Sequence, residues 1–262
     1  MPASTPEQQP QPDRGHAVSR LRATRIAASS KPFVARGANP LRCSGCRLPP
    51  PHCICEHRPS QPSRAGFCLL MGDIEALKPS NTGWLIADVV ADTWAFQWSR
   101  TEVDPALLAL LQDPQWQPFV VFPPEYSSAG RVVSAPPPVE AAQGRRPLYV
   151  LLDGTWSEAR KMFRKSPYLD GLPVLGLHPE TASRYRLRRS AQDHHFCTAE
   201  IAALCLDLAG DERAAEALDA WFGLFSEHYL SARGQGPLPA DSPSRQRLRD
   251  LVQPGGMLGS TS

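Results

Sequence analysis

A series of short, nearly unbroken apolar runs sets the strongest limit on what this chain can fold into: FCLLM at 67 to 71, the segment 94 to 98, PFVVF at 118 to 122, LYVLL at 148 to 152 and the segment 173 to 177. A strand with one wet face alternates polar and apolar residues, whereas a strand that is apolar throughout has both faces covered, as in a parallel sheet. Helix-patterned stretches lie between and after the runs, at 81 to 90, 104 to 112, 157 to 165, 198 to 209 and 212 to 230. This alternation predicts an α/β fold with a mainly parallel sheet and helices on both faces. Capping residues mark the helix starts: Ser80 or Asn81, Thr155 or Ser157, and TAE at 198 to 200. The Pro/Gly-rich stretch 123 to 146 reads as a long exposed loop.

Composition divides the remainder. Residues 1 to 38 are rich in Pro, Gln, Ser and Arg without apolar periodicity, which predicts a disordered, mildly basic arm. Residues 39 to 64 form a Cys-rich module ending in the connector RPSQPSR, residues 65 to 232 the α/β domain, and residues 233 to 262 a flexible tail. No apolar run reaches the roughly 18 residues that span a bilayer, and residues 1 to 30 lack the apolar core of a signal peptide, so the expectation is a soluble, cytoplasmic chain without a membrane partner. The net charge of +2 conceals an uneven spread: residues 145 to 189 hold ten Lys or Arg against four Asp or Glu, a local +6 that suits a polyanionic partner.

Seven cysteines, an odd number, argue against a disulfide framework in a reducing compartment. Cys43-x-x-Cys46 and Cys53-x-Cys55 fall within 13 residues, and two such pairs can wrap one tetrahedral ion, most simply a structural zinc. His52 or His57 could replace a sulfur, and four unrelated thiols is the alternative. Cys68, Cys197 and Cys205 sit inside strand or helix patterns and read as core residues.

In open α/β sheets, ligands bind beyond the carboxyl ends of strands. Three loops qualify: LKPSNTG at 77 to 83, FPPE at 122 to 125, and Asp153-Gly154-Thr155-Trp156. No G-x-G-x-x-G follows a strand, and neither a P-loop nor a G-x-S-x-G elbow is present, which removes support for dinucleotide binding, kinase chemistry and hydrolase triads. A carboxylate directly after LYVLL serves either substrate or cofactor, or caps the next helix. Trp156 reads as a pocket wall, a surface for base stacking, or core. SRYRLRR at 183 to 189 interleaves an aromatic with guanidinium forks and points to RNA, with a solvated helix face as the competing account. The adjacent His194 and His195 read as polar loop residues.

Taken in order, the leading C-x-x-C and C-x-C, KPSNTG, an apolar strand running into DGTW, and YRLRR followed by CTAE resemble the DTW-domain family, closely its bacterial tRNA-uridine aminocarboxypropyltransferases, over residues 40 to 232. A second DTW at 92 to 94 precedes the wrong kind of element and reads as coincidence. The resemblance implies a SPOUT-like fold whose C-terminal knot forms an S-adenosylmethionine pocket. It also implies transfer of the 3-amino-3-carboxypropyl group to N3 of a tRNA uridine in the variable loop, with release of 5′-methylthioadenosine. On this sequence it places Asp153, Thr155 and Trp156 in the catalytic signature, with Asp153 as the base or as a holder of the cofactor's amino group. It sets Ser80, Asn81, Thr82, Gly83, Phe122, Pro123, Leu152, Gly154 and Thr198 around the cofactor. Lys161, Arg164, Lys165, Arg184, Tyr185, Arg186, Arg188 and Arg189 fall to tRNA, and Cys43, Cys46, Cys53 and Cys55 to zinc. The alternatives are a SPOUT-class RNA methyltransferase and a non-enzymatic zinc-containing RNA-binding protein; no obligate protein partner is implied.

Overall fold

The apolar runs become one parallel sheet in the computed structural model, which describes residues 15–30, 41–138, 141–177, 196–238 and 241–252. The strands are β1 (Gly66–Met71), β2 (Thr93–Gln97), β3 (Trp116–Val121), β4 (Val132–Val133), β5 (Arg146–Asp153) and β6 (Val174–Leu175), in the spatial order β2-β1-β5-β3-β6-β4. The described helices are α1 (Ala17–Ala27), α2 (Gly83–Val89), α3 (Pro105–Gln112), α4 (Trp156–Lys165), α5 (Thr198–Leu208), α6 (Glu212–Ala232) and α7 (Pro243–Val252). None of them is long and apolar enough to cross a membrane.

Successive side chains of a strand point to opposite faces, and the two core clusters divide along that period of two. Phe67, Leu69 and Met71 of β1, with Tyr149 and Leu151 of β5, pack against α2, α5 and α6. Cys68 and Leu70, with Leu148 and Val150, pack on the other face with residues of α3 and α4. Cys46, Leu48 and Ile54 belong to the first cluster, so the Cys-rich segment shares its core with the sheet. Cys68 and Cys205 are fully buried, as their strand and helix positions require. At the α5 to α6 corner, Asp211 Oδ2 accepts from Ser63 Oγ (2.7 Å) and from the Arg64 and Ala65 amides (both 2.9 Å), fixing the connector where it enters β1.

Three segments differ from expectation. Residues 17 to 27, placed in the disordered arm, form α1, because tertiary partners supply what its own sequence lacks: Val18 is buried in the core, and Arg25 bonds Asp73 Oδ1 at 2.5 Å. Part of the expected tail forms α7, with Leu248 buried and Arg247 bonded to Asp219 of α6 at 2.7 Å. The stretch 123 to 146 contains β4, two residues long and paired, among the described strands, with β6 alone, too short to leave a sequence signal. The expected C-terminal knot is not traced, because residues 178 to 195, between β6 and α5, lie outside the described residues.

His16 docks α1. Its Nδ1 accepts from the Ser19 amide (3.3 Å), its ring meets Trp84 edge to face at 4.5 Å, and its Nε2 lies 3.6 Å from Asp88 Oδ1. Burial, reinforced by Arg58, Arg47 and Arg20, pulls its pKa from 6.5 to about 3. The unfolded chain therefore takes up a proton that the folded one refuses, and stability present above pH 6.5 is lost as pH falls toward 3. Asp88 contributes with the opposite sign: burial raises it to about 7, against Arg58, Trp221 and Arg47, so its contribution is present at low pH and lost as pH rises through 7. His16→Asn keeps a capping acceptor and removes the titration. Between pH 6.5 and 5 the variant is expected to lose about 2 kcal/mol less stability than wild type, read by urea unfolding at both pH values. Equal losses would show that His16 titrates normally.

Candidate functional site

The carboxyl ends of β1, β5 and β3 lie side by side, with Met71 opposite Asp153 in register and the Gly72 amide donating to the Asp153 carbonyl at 2.8 Å. Asp153 continues the Tyr149, Leu151 face of β5, which turns its carboxylate toward α2 and α5. It is only 4% exposed. Asn81 Nδ2 donates to Oδ2 at 2.7 Å, and the Thr198 hydroxyl donates to Oδ1 at 2.6 Å. Asn81 is itself oriented, because its Oδ1 accepts from the Trp84 amide at 3.0 Å. Beside it, Thr82 Oγ1 accepts from the Ala199 amide at 3.4 Å. One carboxylate thus ties together the loop after β1, the end of β5 and the start of α5.

Gly83 opens α2 against this cluster, and a Cβ there would lie 2.7 Å from Asp153 Oδ2. Burial raises the Asp153 pKa above its usual 3.8, opposed by the hydrogen bonds from Thr198 and Asn81 and by the charges of Lys78 and Arg47. Glu75, buried on the same loop and paired with Lys78, is also raised by burial, and Asp153 and Glu158 add to the effect. A cluster of enclosed carboxylates favours a bound cation, which would draw their pKa values back down.

The next residues serve differently. Thr155, not Asp153, caps α4: its hydroxyl and amide donate to Glu158 Oε2 at 2.6 and 2.8 Å, and the Glu158 amide returns to Thr155 Oγ1 at 3.4 Å. This capping box fixes the direction of the helix. Trp156 then projects at 51% exposure. Its ring stacks on Phe122 (5.5 Å, 10°), which stacks on the ring of Phe163 (4.4 Å, 9°). Tyr126 meets Trp156 edge-on at 5.6 Å, and the Arg160 guanidinium lies 5.2 Å over Tyr126. The result is an aromatic ladder anchored in the core, its outer plate open and a cation beside it.

The expected cofactor residues therefore divide between two faces. Asn81, Thr82, Gly83 and Thr198 gather at Asp153. Phe122 joins Trp156 on the α4 side, Leu152 packs there half-buried, Pro123 follows half-buried, and Ser80 is exposed. Gly154 gives room to Glu158, whose Cβ would lie 3.1 Å from an added methyl. Lys161, Arg164 and Lys165 are exposed along α4 with Arg160. Arg145 and Arg146 lie apart from these cations: β5 begins with Arg146, which pairs with Asp92 at the far end of the sheet. The coincidental DTW thus lies away from the site. Arg184, Tyr185, Arg186, Arg188, Arg189, His194 and His195 lie outside the described residues. Sequence reasoning assigned no role to Arg47, Glu75, Lys78 or Glu158; Lys78 stood in the KPSNTG loop, and Glu158 had a signal as the fourth residue of Thr155-x-x-Glu158.

The Sγ atoms of Cys43, Cys46, Cys53 and Cys55 all lie within 4.8 Å of one another, with Cys43 to Cys55 at 3.5 Å, Cys43 to Cys53 at 3.6 Å and Cys46 to Cys53 at 3.7 Å. A tetrahedral zinc with bonds of about 2.3 Å has sulfur edges of about 3.8 Å, so the donor set fits that ion without rearrangement. The four thiols are free, and neither His52 nor His57 joins the group: His57 contacts Glu56, and His52 faces His228. Hydrogen bonding to Cys55 draws the Cys46 thiol down to about 5, while burial pushes Cys53 up to about 11.

Compared with protein-family models, residues 40–230 match the model of the DTW domain. No solved structure matches the chain.

Proposed function

We propose, from the premise that this chain belongs to the DTW-domain family, that it transfers the 3-amino-3-carboxypropyl group of S-adenosylmethionine to N3 of a tRNA uridine in the variable loop. The family includes tRNA-modifying enzymes, and a tRNA-related function fits it. The observation that carries the reading is the pairing, at the end of β5, of an enclosed acidic clamp with an open aromatic plate three residues on. S-adenosylmethionine carries a sulfonium and an ammonium, which suit the carboxylates of Asp153 and Glu75. A uridine offers a flat face for Trp156, and tRNA phosphates suit the cations along α4.

The reaction forms a bond between uridine N3 and the γ-carbon of the methionine moiety and breaks the bond from that carbon to sulfur. The sulfonium takes the electron pair and leaves as the neutral thioether of 5′-methylthioadenosine, and the imide proton passes to solvent water. Holding nucleophile and carbon in line supplies much of the acceleration, since well-aligned intramolecular reactions gain about 7 to 11 kcal/mol. Each oxygen of Asp153 already accepts a hydrogen bond, so beside the two roles expected of it, base and holder of the cofactor's amino group, the carboxylate fixes Asn81 and Thr198 in place. Four cysteines would hold zinc as a structural ion apart from the reacting atoms.

Incubating the protein with tRNA and S-adenosylmethionine tests the reading. Release of 5′-methylthioadenosine and a tRNA nucleoside heavier by the aminocarboxypropyl group are expected; S-adenosylhomocysteine would reveal a methyltransferase, and no turnover a binding protein. Trp156→Ala is expected to raise the KM for tRNA by roughly tenfold, in line with about 1 to 3 kcal/mol for base stacking, while Trp156→Phe recovers most of the loss. An unchanged KM in Trp156→Ala would remove the stacking surface from the account.

A further inference from the structure

Arg47 follows Cys46 directly, yet its side chain works elsewhere. Its backbone is left-handed (φ 65°), a conformation that a side-chain-bearing residue keeps only where its surroundings impose it. The Cys43 to Leu48 turn does so: the Arg47 amide donates to the Cys43 carbonyl and the Cys43 amide to the Leu48 carbonyl, both at 2.9 Å. The guanidinium is buried, lies 4.3 Å over the ring of Trp84, and donates to two carbonyls of the loop after β1, those of Lys78 (3.0 Å) and Asn81 (2.9 Å). Trp84 answers by donating its indole N–H to the Gly45 carbonyl at 2.9 Å. The cysteine turn and the loop that presents Asn81 to Asp153 are therefore joined by three hydrogen bonds and a stacked cation.

We propose that Arg47 is a positioning residue through which occupancy of the four-cysteine centre by a zinc ion sets the shape of the Lys78 to Asn81 turn, and with it the affinity for S-adenosylmethionine. The inference rests on the proposed function for its ligand, but not for the mechanical link. A bound ion fixes the turn in which Arg47 takes its left-handed conformation. Without the ion, that turn keeps its backbone hydrogen bonds, the Arg42 bond to the Arg47 carbonyl (3.0 Å) and the Trp84 bond to the Gly45 carbonyl, but the four thiols are no longer held at one point, and Arg47 loses its fixed purchase on the carbonyls of Lys78 and Asn81. The effect travels through two contacts: Arg47 to Asn81, and Asn81 to Asp153.

The test uses the full chain loaded with zinc, the same protein stripped by a chelator, and the Arg47→Lys variant, whose ammonium keeps the charge but cannot bridge two carbonyls in one plane. Metal content, amide hydrogen exchange and S-adenosylmethionine affinity by calorimetry are measured on each. One zinc per chain is expected, and chelation should speed exchange across residues 78 to 84 by roughly tenfold while leaving β5 unchanged. Affinity for S-adenosylmethionine should fall by a similar factor and return with added zinc. Arg47→Lys should keep its zinc and lose that affinity, with the KM for tRNA unchanged. The inference is overturned if no zinc binds, if exchange in residues 78 to 84 ignores the metal, if β5 opens equally, or if Arg47→Lys binds S-adenosylmethionine as wild type does. Should the zinc-loaded wild type bind no S-adenosylmethionine, the proposed function fails, and the exchange measurement still decides the coupling.

Discussion

Asp153→Asn is expected to give a folded protein whose kcat/KM is lower by roughly 100-fold, because a misplacement of about 1 Å at a reacting centre costs that much. The substitution keeps the volume and leaves one acceptor oxygen for Thr198. The other oxygen becomes an amide donor facing the Asn81 amide donor, at a position now occupied by a 2.7 Å hydrogen bond. Asn81 cannot relieve the conflict by turning over, because its own oxygen accepts from the Trp84 amide. Either α2 loses a contact in its first turn, the loop after β1 shifts, or the new amide turns over and the Thr198 hydroxyl changes from donor to acceptor. Stability should fall by no more than about 1 to 3 kcal/mol, the usual cost of an unsatisfied buried group, partly offset by removal of a desolvated carboxylate. A near-normal kcat/KM in Asp153→Asn would contradict the role given to this residue.

Gly83→Ala tests the same site from the other side. The new methyl would lie 2.7 Å from Asp153 Oδ2, 3.3 Å from Asn81 Oδ1 and 3.4 Å from Leu69 Cδ1. The first distance is shorter than any tolerated contact, and Asp153 is held by two partners, so the clamp must open. Overpacking of this kind costs about 1 to 3 kcal/mol, while alanine returns up to about 1 kcal/mol of helix propensity. Thermal unfolding should therefore move only modestly, whereas transfer activity should drop by roughly 100-fold, as for other misplaced sites. Gly171→Ala, where nothing lies within 4 Å of the added carbon, is the matched control and should change neither. A stable, active Gly83→Ala protein would mean that the clamp tolerates displacement.

The sheet was legible because its strands announce themselves locally. FCLLM and LYVLL are apolar on both faces, and the structure buries both faces. The helices 105 to 112 and 156 to 165 carry their own starts, Asp104 with Pro105 and Thr155 with Glu158. What escaped depends on partners distant in the chain. Arg47 reaches carbonyls 31 and 34 residues away, and nothing in its neighbours forecasts that. Both terminal helices fold because partners distant in the chain await them, Trp84 and Asp73 for α1, Asp219 and Glu227 for α7. The DTW tetrad was visible as a motif, but its division of labour was not: the period of two sends Asp153 to one face of the sheet, while the capping of α4 leaves Trp156 on the other.

The clamp also orders events during synthesis. Asp153 leaves the ribosome 45 residues ahead of Thr198, its hydroxyl donor, and 72 residues behind Asn81, its amide donor. Until α5 has been made and docked, the nascent chain carries that carboxylate with one of its oxygens unclaimed, and the strands around it close only through contacts remote in sequence, which form late. A chain halted before residue 198 therefore owns every described strand of the sheet and still lacks one donor of the clamp, which is completed in a single step, with its last partner.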